Sequence, residues 1–334
     1  MKKIAIIGIG GRTGTMFAFE LQKAGDVLGI GRERDINIIK EKRLYLKRGE
    51  DPAILFEGKV IRDFEFPKNS LPDIIFLAVK NPVGPVIKYY YQKIKEEEKL
   101  PSLVLSQNGI VAGSQAKEVL KEVLGKRRFE ELRIIRLSLF NPVDSQEVNG
   151  KICIDYFLPI RLAFGIYSGP KETKDIKEIF EKAKIEAEEV PSENIKNMEY
   201  SKLFLNLIGM VAAVRGLGIG EGLAKKEIFE EEIKALREYI KVVRKSGGKF
   251  LNFNNYPIKL FTILINFLPL SILKIFRKTL AKVIIKGRGG KEKGNIDEIE
   301  YYNGVVIKLG EKFKVETPIN KKIYHYVHHL VMNT

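Results

Sequence analysis

Three groups of residues in this 334-residue chain have types and spacings that could do chemistry. The first is Gly8, Gly10, Gly11 and Gly14, directly after the apolar run Ile4–Ile7. Glycines between a strand and a helix let backbone approach a pyrophosphate, and the helix N-terminus offers it free N–H groups. The second is Arg32 with Arg34, after the apolar stretch Val27–Ile30. An acidic residue at that place would bind a ribose 2′-hydroxyl, whereas arginine suits a 2′-phosphate; the alternative is two surface arginines in a loop. The third is Lys202 with Asn206, four residues apart and so on one helix face, among Leu203, Phe204, Leu205, Leu207 and Ile208. A lysine in such surroundings either reaches along its stem to water or sits in a pocket.

These groups need elements to hold them. Ile4–Ile7 reads as a strand buried on both faces, Met16, Phe17, Ala18 and Leu21 as a helix, and Val27–Ile30 as a second strand. Strand, glycine turn, helix, strand opens a dinucleotide-binding sheet. The turn departs from G-x-G-x-x-G. It either carries one extra residue or reads G-x-x-G-x-x-G from Gly8, Gly11 and Gly14.

Asp73–Val79 is the clearest strand and ends at Lys80–Asn81–Pro82; Ser102–Leu105 is another and ends at Ser106–Gln107–Asn108–Gly109. Residues 35–72 read as irregular or small strands. Helices are expected at Tyr89–Glu98, Gly113–Val123 and Lys171–Lys184, and strands at Arg133–Phe140 and Pro159–Tyr167. From Ser192 the pattern turns helical, through 227–246, two segments around Pro269, a helix carrying Asp297–Gly304 and a last one from Pro318. The expected architecture is α/β: a Rossmann-type dinucleotide-binding domain over 1–191, then an all-helical substrate and catalytic domain over 192–334.

Composition narrows the function classes. Hydrophobic residues make up 45% and charged ones 30%, as in a soluble globular chain. A single cysteine, Cys153, excludes an internal disulfide and fits a reducing cytoplasm, and it reads as a buried hydrophobe. No signal peptide is expected. The most membrane-like run without charge, Leu260–Leu273, has 14 residues, short of the ~20 a spanning helix needs. The net charge of +16 suits phosphate-bearing ligands, and could suit nucleic acid or a membrane surface; scattered lysines without a basic tail favour a solvated surface, with neither partner expected. His325, His328 and His329 lack an acidic or cysteine partner pattern, so no metal is expected.

Taken in order, the motifs resemble the ketopantoate reductases (2-dehydropantoate 2-reductases) over nearly the full length. They are the glycine turn, LAVK at Leu77–Lys80, QNG at Gln107–Gly109, KLFLN at Lys202–Asn206, EIEYYNG at Glu298–Gly304 and TPIN at Thr317–Asn320. The resemblance implies an NADPH-dependent reduction of ketopantoate to pantoate, toward pantothenate and coenzyme A. It implies cofactor binding by Gly8, Gly10, Gly11, Gly14 and Arg32, with Lys80 and Asn108 near the nicotinamide. With Gly14 as the third glycine of that pattern, the extra residue falls within Ile9–Thr13, and a slightly wider turn is expected there with Arg12 or Thr13 adding a phosphate contact. It implies Lys202 as the catalytic acid, Glu298 completing the site and Asn206 holding substrate. A homodimer is compatible with it.

The sequence departs from that pattern at two places. Met210 stands where the family carries a second asparagine, and Lys286 where it carries a serine. Arg288 and Lys291 are then candidate ligands for a substrate carboxylate. The alternatives are a reductase of another 2-keto acid or carbonyl compound, and a non-catalytic NADP-binding regulator.

Overall fold

A computed structural model of the chain describes residues 1–66, 70–287 and 296–332. The chain divides into two units, Met1–Gln107 with Val111–Ile195, and Asn108–Ile110 with Lys196–Thr334.

Among the described residues the first unit carries the strands β1 Lys2–Ile7, β2 Gly25–Gly31, β3 Leu44–Arg48, β4 Ile54–Leu55, β5 Lys59–Arg62, β6 Ile74–Leu77, β7 Ser102–Leu105, β8 Ile134–Leu139, β9 Asp144–Val148, β10 Lys151–Tyr156, β11 Arg161–Ser168 and β12 Glu186–Glu189. Its helices are α1 Arg12–Leu21, α2 Glu33–Lys40, α3 Gly84–Ile94, α4 Ala112–Glu131 and α5 Lys174–Lys182. Eight strands form one sheet in the order β12-β11-β8-β7-β6-β1-β2-β5. From β5 to β8 all neighbours are parallel, and only β11 runs antiparallel to β8. That is the Rossmann order, and β1 and β6 lie where the winding reverses.

Both faces of the sheet's centre are buried, which is why β6, β7 and the second half of β1 read as unbroken apolar runs, while the edge strands β5 and β12 carry charged residues. Along β1, Ile4 and Ile6 pack into one cluster with Phe17 of α1 and Phe180 of α5. Ala5 and Ile7 pack into the other with Tyr90 and Tyr91 of α3 and Leu120 of α4. A second sheet, β4-β3-β10-β9, joins the α1 side. Glu20 of α1, 1% exposed, fastens it by accepting from Tyr156 Oη at 2.5 Å and Arg48 Nε at 2.8 Å.

Several expectations need correction. The region 35–72 holds a helix, α2, whose eight residues bury only Ile36 and Ile39. Glu33 and Asp35 in its first turn and Lys40 in its last suit the helix dipole, a signal stronger than its short apolar stripe. The hairpin β9–β10 was not expected, although it turns on Asn149–Gly150, both at positive φ (51° and 71°), the dipeptide most suited to a two-residue turn. Cys153 sits in β10 at intermediate exposure rather than in the core, and burial still raises its thiol pKa. Helix α3 begins earlier than expected because Pro85 starts it. Helix α4 runs past Val123 and kinks at Gly125.

The second unit is helical among the described residues, apart from one isolated bridge, Phe253 to Tyr256. After α6 (Ile195–Leu207) come α7 Met210–Val214, α8 Ile219–Ala224, α9 Lys226–Lys245, α10 Ile258–Phe267, α11 Leu270–Ile275, α12 Arg277–Gly287, α13 Asn303–Phe313 and α14 Pro318–Met332. The stretch expected to continue one helix through Asp297–Gly304 is instead a 3₁₀ segment, Ile296–Tyr301, followed by α13. Among the described residues no helix is long and apolar enough to cross a membrane.

Candidate active site

The glycine turn is built for close approach. Gly8 and Gly10 have φ of 101° and 89°, and Gly11 caps α1 without a side-chain bond. A Cβ on Gly14 would lie 2.2 Å from the Gly8 carbonyl oxygen, and one on Gly8 would lie 2.9 Å from that of Ala78. Gly14 therefore takes the part of the glycine that lets helix pack on strand. The first turn of α1 holds no acidic residue. These residues fit a dinucleotide pyrophosphate: a bare backbone cradle faces the positive end of a helix. Thr13 is half-buried, and Arg12 NH1 lies 3.8 Å from Asp144 Oδ1 of β9.

Arg32 follows β2 and caps α2. Its Nε lies 3.0 Å from Asp35 Oδ2, and its side chain is 78% exposed. Lys80 is exposed, three residues beyond β6 and before the cis Asn81–Pro82 bond. The loops after β6 and β7 are tied by Gln107, whose Nε2 donates to Leu77 O at 2.7 Å and Val79 O at 3.0 Å. Its own carbonyl accepts from Arg136 NH2 at 2.5 Å. Arg136, 1% exposed, also donates to the carbonyls of Leu105 and Leu137. Sequence reading passed over Gln107 as part of a motif and Arg136 altogether. An arginine inside the apolar strand Ile134–Leu139 was the available signal, because a buried guanidinium needs carbonyls to bond.

In the second unit three segments distant in sequence converge. Asn108 Nδ2 donates to Glu298 Oε2 at 3.1 Å, and Asn206 Nδ2 donates to Asn108 Oδ1 at 3.3 Å. Tyr302, 3% exposed, donates its hydroxyl to the same Glu298 oxygen at 2.9 Å. Glu298 is itself 7% exposed, so its carboxylate is held by two donors away from bulk water. Tyr302 was missed, although it stands four residues after Glu298 in the same motif. Lys202 lies one turn before Asn206 on α6, and both are half-buried.

The glycine of QNG has a steric reason: Gly109 has φ of 82°, and a Cβ there would lie 2.9 Å from the Tyr301 carbonyl oxygen. The last two motifs meet as structure. Asn303 Nδ2 donates to Asn320 Oδ1 at 2.9 Å, and Asn320 Nδ2 donates to Glu238 Oε2 at 2.7 Å and Ala235 O at 3.0 Å. Glu238 of α9 also accepts from the backbone of Ile319 and Asn320, capping α14.

Met210 is 1% exposed and begins α7 after Gly209, which is left-handed at φ 91°. Buried Glu232 of α9 caps this break, accepting from Gly209 N at 2.7 Å and Val211 N at 3.0 Å. Burial outweighs those donors and pushes its carboxyl up to about 7. Lys286 is exposed near the end of α12. Arg288 and Lys291 lie outside the described residues, as do the side chains of His328 and His329.

Known proteins supply the remaining findings. No curated protein matches the sequence. Three solved structures share the fold. One is D-mandelate dehydrogenase in a ternary structure with NADH and anilino(oxo)acetate (18% identity, 98% of this chain and 97% of that one, TM-score 0.72). Another is 2-dehydropantoate 2-reductase from Methylococcus capsulatus (18%, 99% and 97%, 0.67). The third is a dimeric ketopantoate reductase from Staphylococcus aureus (18%, 99% and 99%, 0.64). At such identity they speak for the fold alone. The sequence profile of ketopantoate reductase PanE/ApbA matches residues 4–129, and that of ketopantoate reductase PanE/ApbA C terminal matches residues 194–331. With both halves matched in order, the chain belongs to the ketopantoate reductase family of NADP-dependent oxidoreductases.

Proposed function

We propose that the protein reduces 2-dehydropantoate to pantoate with NADPH, and that Lys202 is the general acid. The observation that carries this reading is the cluster of buried Glu298 with half-buried Asn108 and Asn206, the last one helical turn from Lys202. A ketone reduction needs hydride at carbon, which NADPH supplies when bound, and a proton at oxygen. The Lys202 ammonium is a donor of the right kind, and its charge stabilises the alkoxide as it forms. Glu298, oriented by Tyr302 and Asn108, is suited to hold that ammonium or a substrate hydroxyl. Asn206 offers an amide to the substrate. Arg12, Thr13, Arg32, Lys80 and the glycines Gly8, Gly10, Gly11 and Gly14 are proposed to bind the cofactor, and Arg288 and Lys291 the substrate carboxylate.

A second reading is a reductase of another 2-keto acid, favoured by the apolar Met210 buried where a substrate-contacting asparagine is expected. Purified protein, NADPH and a panel of 2-keto acids separate the two. Ketopantoate is expected to be turned over best. Good turnover of another acid without turnover of ketopantoate establishes the second reading.

We also propose a homodimer. Leu260, Ile263, Phe267, Ile272, Ile275 and Phe276 are exposed, Phe267 at 68% and Ile275 at 74%. They lie on α10 and α11 and in the turn after α11, whose other faces pack into a cluster with Leu273 and Phe229. Such a surface is one a second copy would cover.

A further inference from the structure

The 2′-phosphate reading of Arg32 leaves one cation, 78% exposed, to hold a dianionic group. The sheet supplies a second. Strand β5 is the edge strand beside β2, and the two are parallel with Gly31 opposite Arg62. Arg62 therefore ends β5 level with the point where β2 gives way to Arg32. Both guanidiniums belong to carboxyl ends of adjacent parallel strands, where open α/β sheets take their ligands.

Each is held by a carboxylate from the first turn of α2. Arg32 Nε lies 3.0 Å from Asp35 Oδ2, and Arg62 NH2 lies 3.1 Å from Glu33 Oε1. The backbone at Arg62 is fixed as well, since its N–H donates to Glu65 Oε2 at 2.8 Å. Arg62 is 31% exposed and Glu33 63%. Glu33 is thus the more exposed partner, and an arriving phosphate can take its place on the guanidinium. Arg34, the other sequence candidate, lines a cavity of about 360 Å³ with Asn37, Arg43, Glu147 and Ile152.

We infer that Arg62 is a specificity-determining residue for the cofactor. It grips the 2′-phosphate alongside Arg32, and Glu33 holds its side chain in place until that phosphate arrives. This rests on the proposed role of Arg32. Two planar guanidiniums from different strands offer paired N–H forks to one phosphate, which a single exposed arginine cannot.

Titration with 2′,5′-ADP and with 5′-AMP tests this, because the two ligands differ only in the 2′-phosphate and neither carries the nicotinamide. Wild-type protein should prefer 2′,5′-ADP. Arg62→Ala should weaken 2′,5′-ADP by about 10-fold and leave 5′-AMP within about 2-fold. Arg62→Lys should restore part of the loss, and Glu33→Gln should bind 2′,5′-ADP at least as tightly as wild type. If the Arg62 variants change both ligands alike, or neither, the inference is overturned while Arg32 stands. If wild-type protein holds both ligands equally, the Arg32 reading falls and the inference with it.

Discussion

The Glu298 carboxylate receives Asn108 Nδ2 and the Tyr302 hydroxyl on one oxygen, at 3.1 and 2.9 Å. Those two donors fix its orientation, and loss of the Tyr302 bond should cost turnover without costing cofactor binding. Tyr302→Phe removes one bond and leaves the ring packed. It should lower kcat by about 3- to 10-fold, on the scale of one charged hydrogen bond, with NADPH affinity unchanged. Glu298→Gln should cost more, because the amide can no longer pair with an ammonium. Steady-state kinetics beside a cofactor titration reads both. Substitution of Asn320 should behave differently. Its amide is fully buried between α9, α13 and α14, so Asn320→Ala should lower the melting temperature rather than kcat alone.

At the scale of elements, the breaks matter as much as the helices. Glu232 caps the interruption between α6 and α7 with a carboxyl whose folded pKa is about 7 against an ordinary 4.5. The folded state therefore binds this proton more tightly than the unfolded chain. Its stabilising share is complete below 4.5 and is lost as pH rises to about 7, on the order of 3 kcal/mol in all. Glu232→Gln carries no such proton. Thermal melts from pH 4.5 to 8 should show wild type losing ground to this variant across the window and no further above it. Gly109→Ala should disrupt the other tight joint. It would force a side chain into a left-handed residue 2.9 Å from the Tyr301 carbonyl oxygen, at about 1–3 kcal/mol of stability.

The legible elements were those whose signal is local. β1, β6 and β7 each carry an unbroken apolar run, and the glycine turn follows the first of them, between β1 and β2. The expected all-helical pattern after Ser192 is likewise a matter of period. What stayed hidden depends on partners far away in the chain. Helix α2 buries only two apolar side chains, so its period was faint. Arg136 makes sense only once the carbonyls of Leu105 and Gln107, from another strand and its loop, lie beside it. Arg62 drew no notice until β5 was found level with β2. Glu298 was singled out by family pattern alone, and the catalytic role of Lys202 rested on the same pattern, since a lone carboxylate or lysine on a helix is ordinarily solvated. The β9–β10 hairpin carried its signal in the open, at Asn149–Gly150, as α2 did in the charges of its first and last turns.

At the scale of the whole molecule, the exposed apolar residues of the α10–α11 region bear on assembly. A double substitution, Phe267→Lys with Ile275→Lys, should convert a dimer into a monomer in sedimentation equilibrium and leave the helical signal unchanged. A wild-type protein that sediments as a monomer at micromolar concentration would contradict the proposed dimer. The central claim, though, is that Lys202 is the proton donor in a keto-acid reduction. Its most direct measurement compares wild type and Lys202→Ala for turnover of 2-dehydropantoate with NADPH and for NADPH affinity. The account predicts a loss of about 10²- to 10⁴-fold in kcat, with the NADPH dissociation constant within about 2-fold of wild type. Undiminished turnover by Lys202→Ala would contradict it.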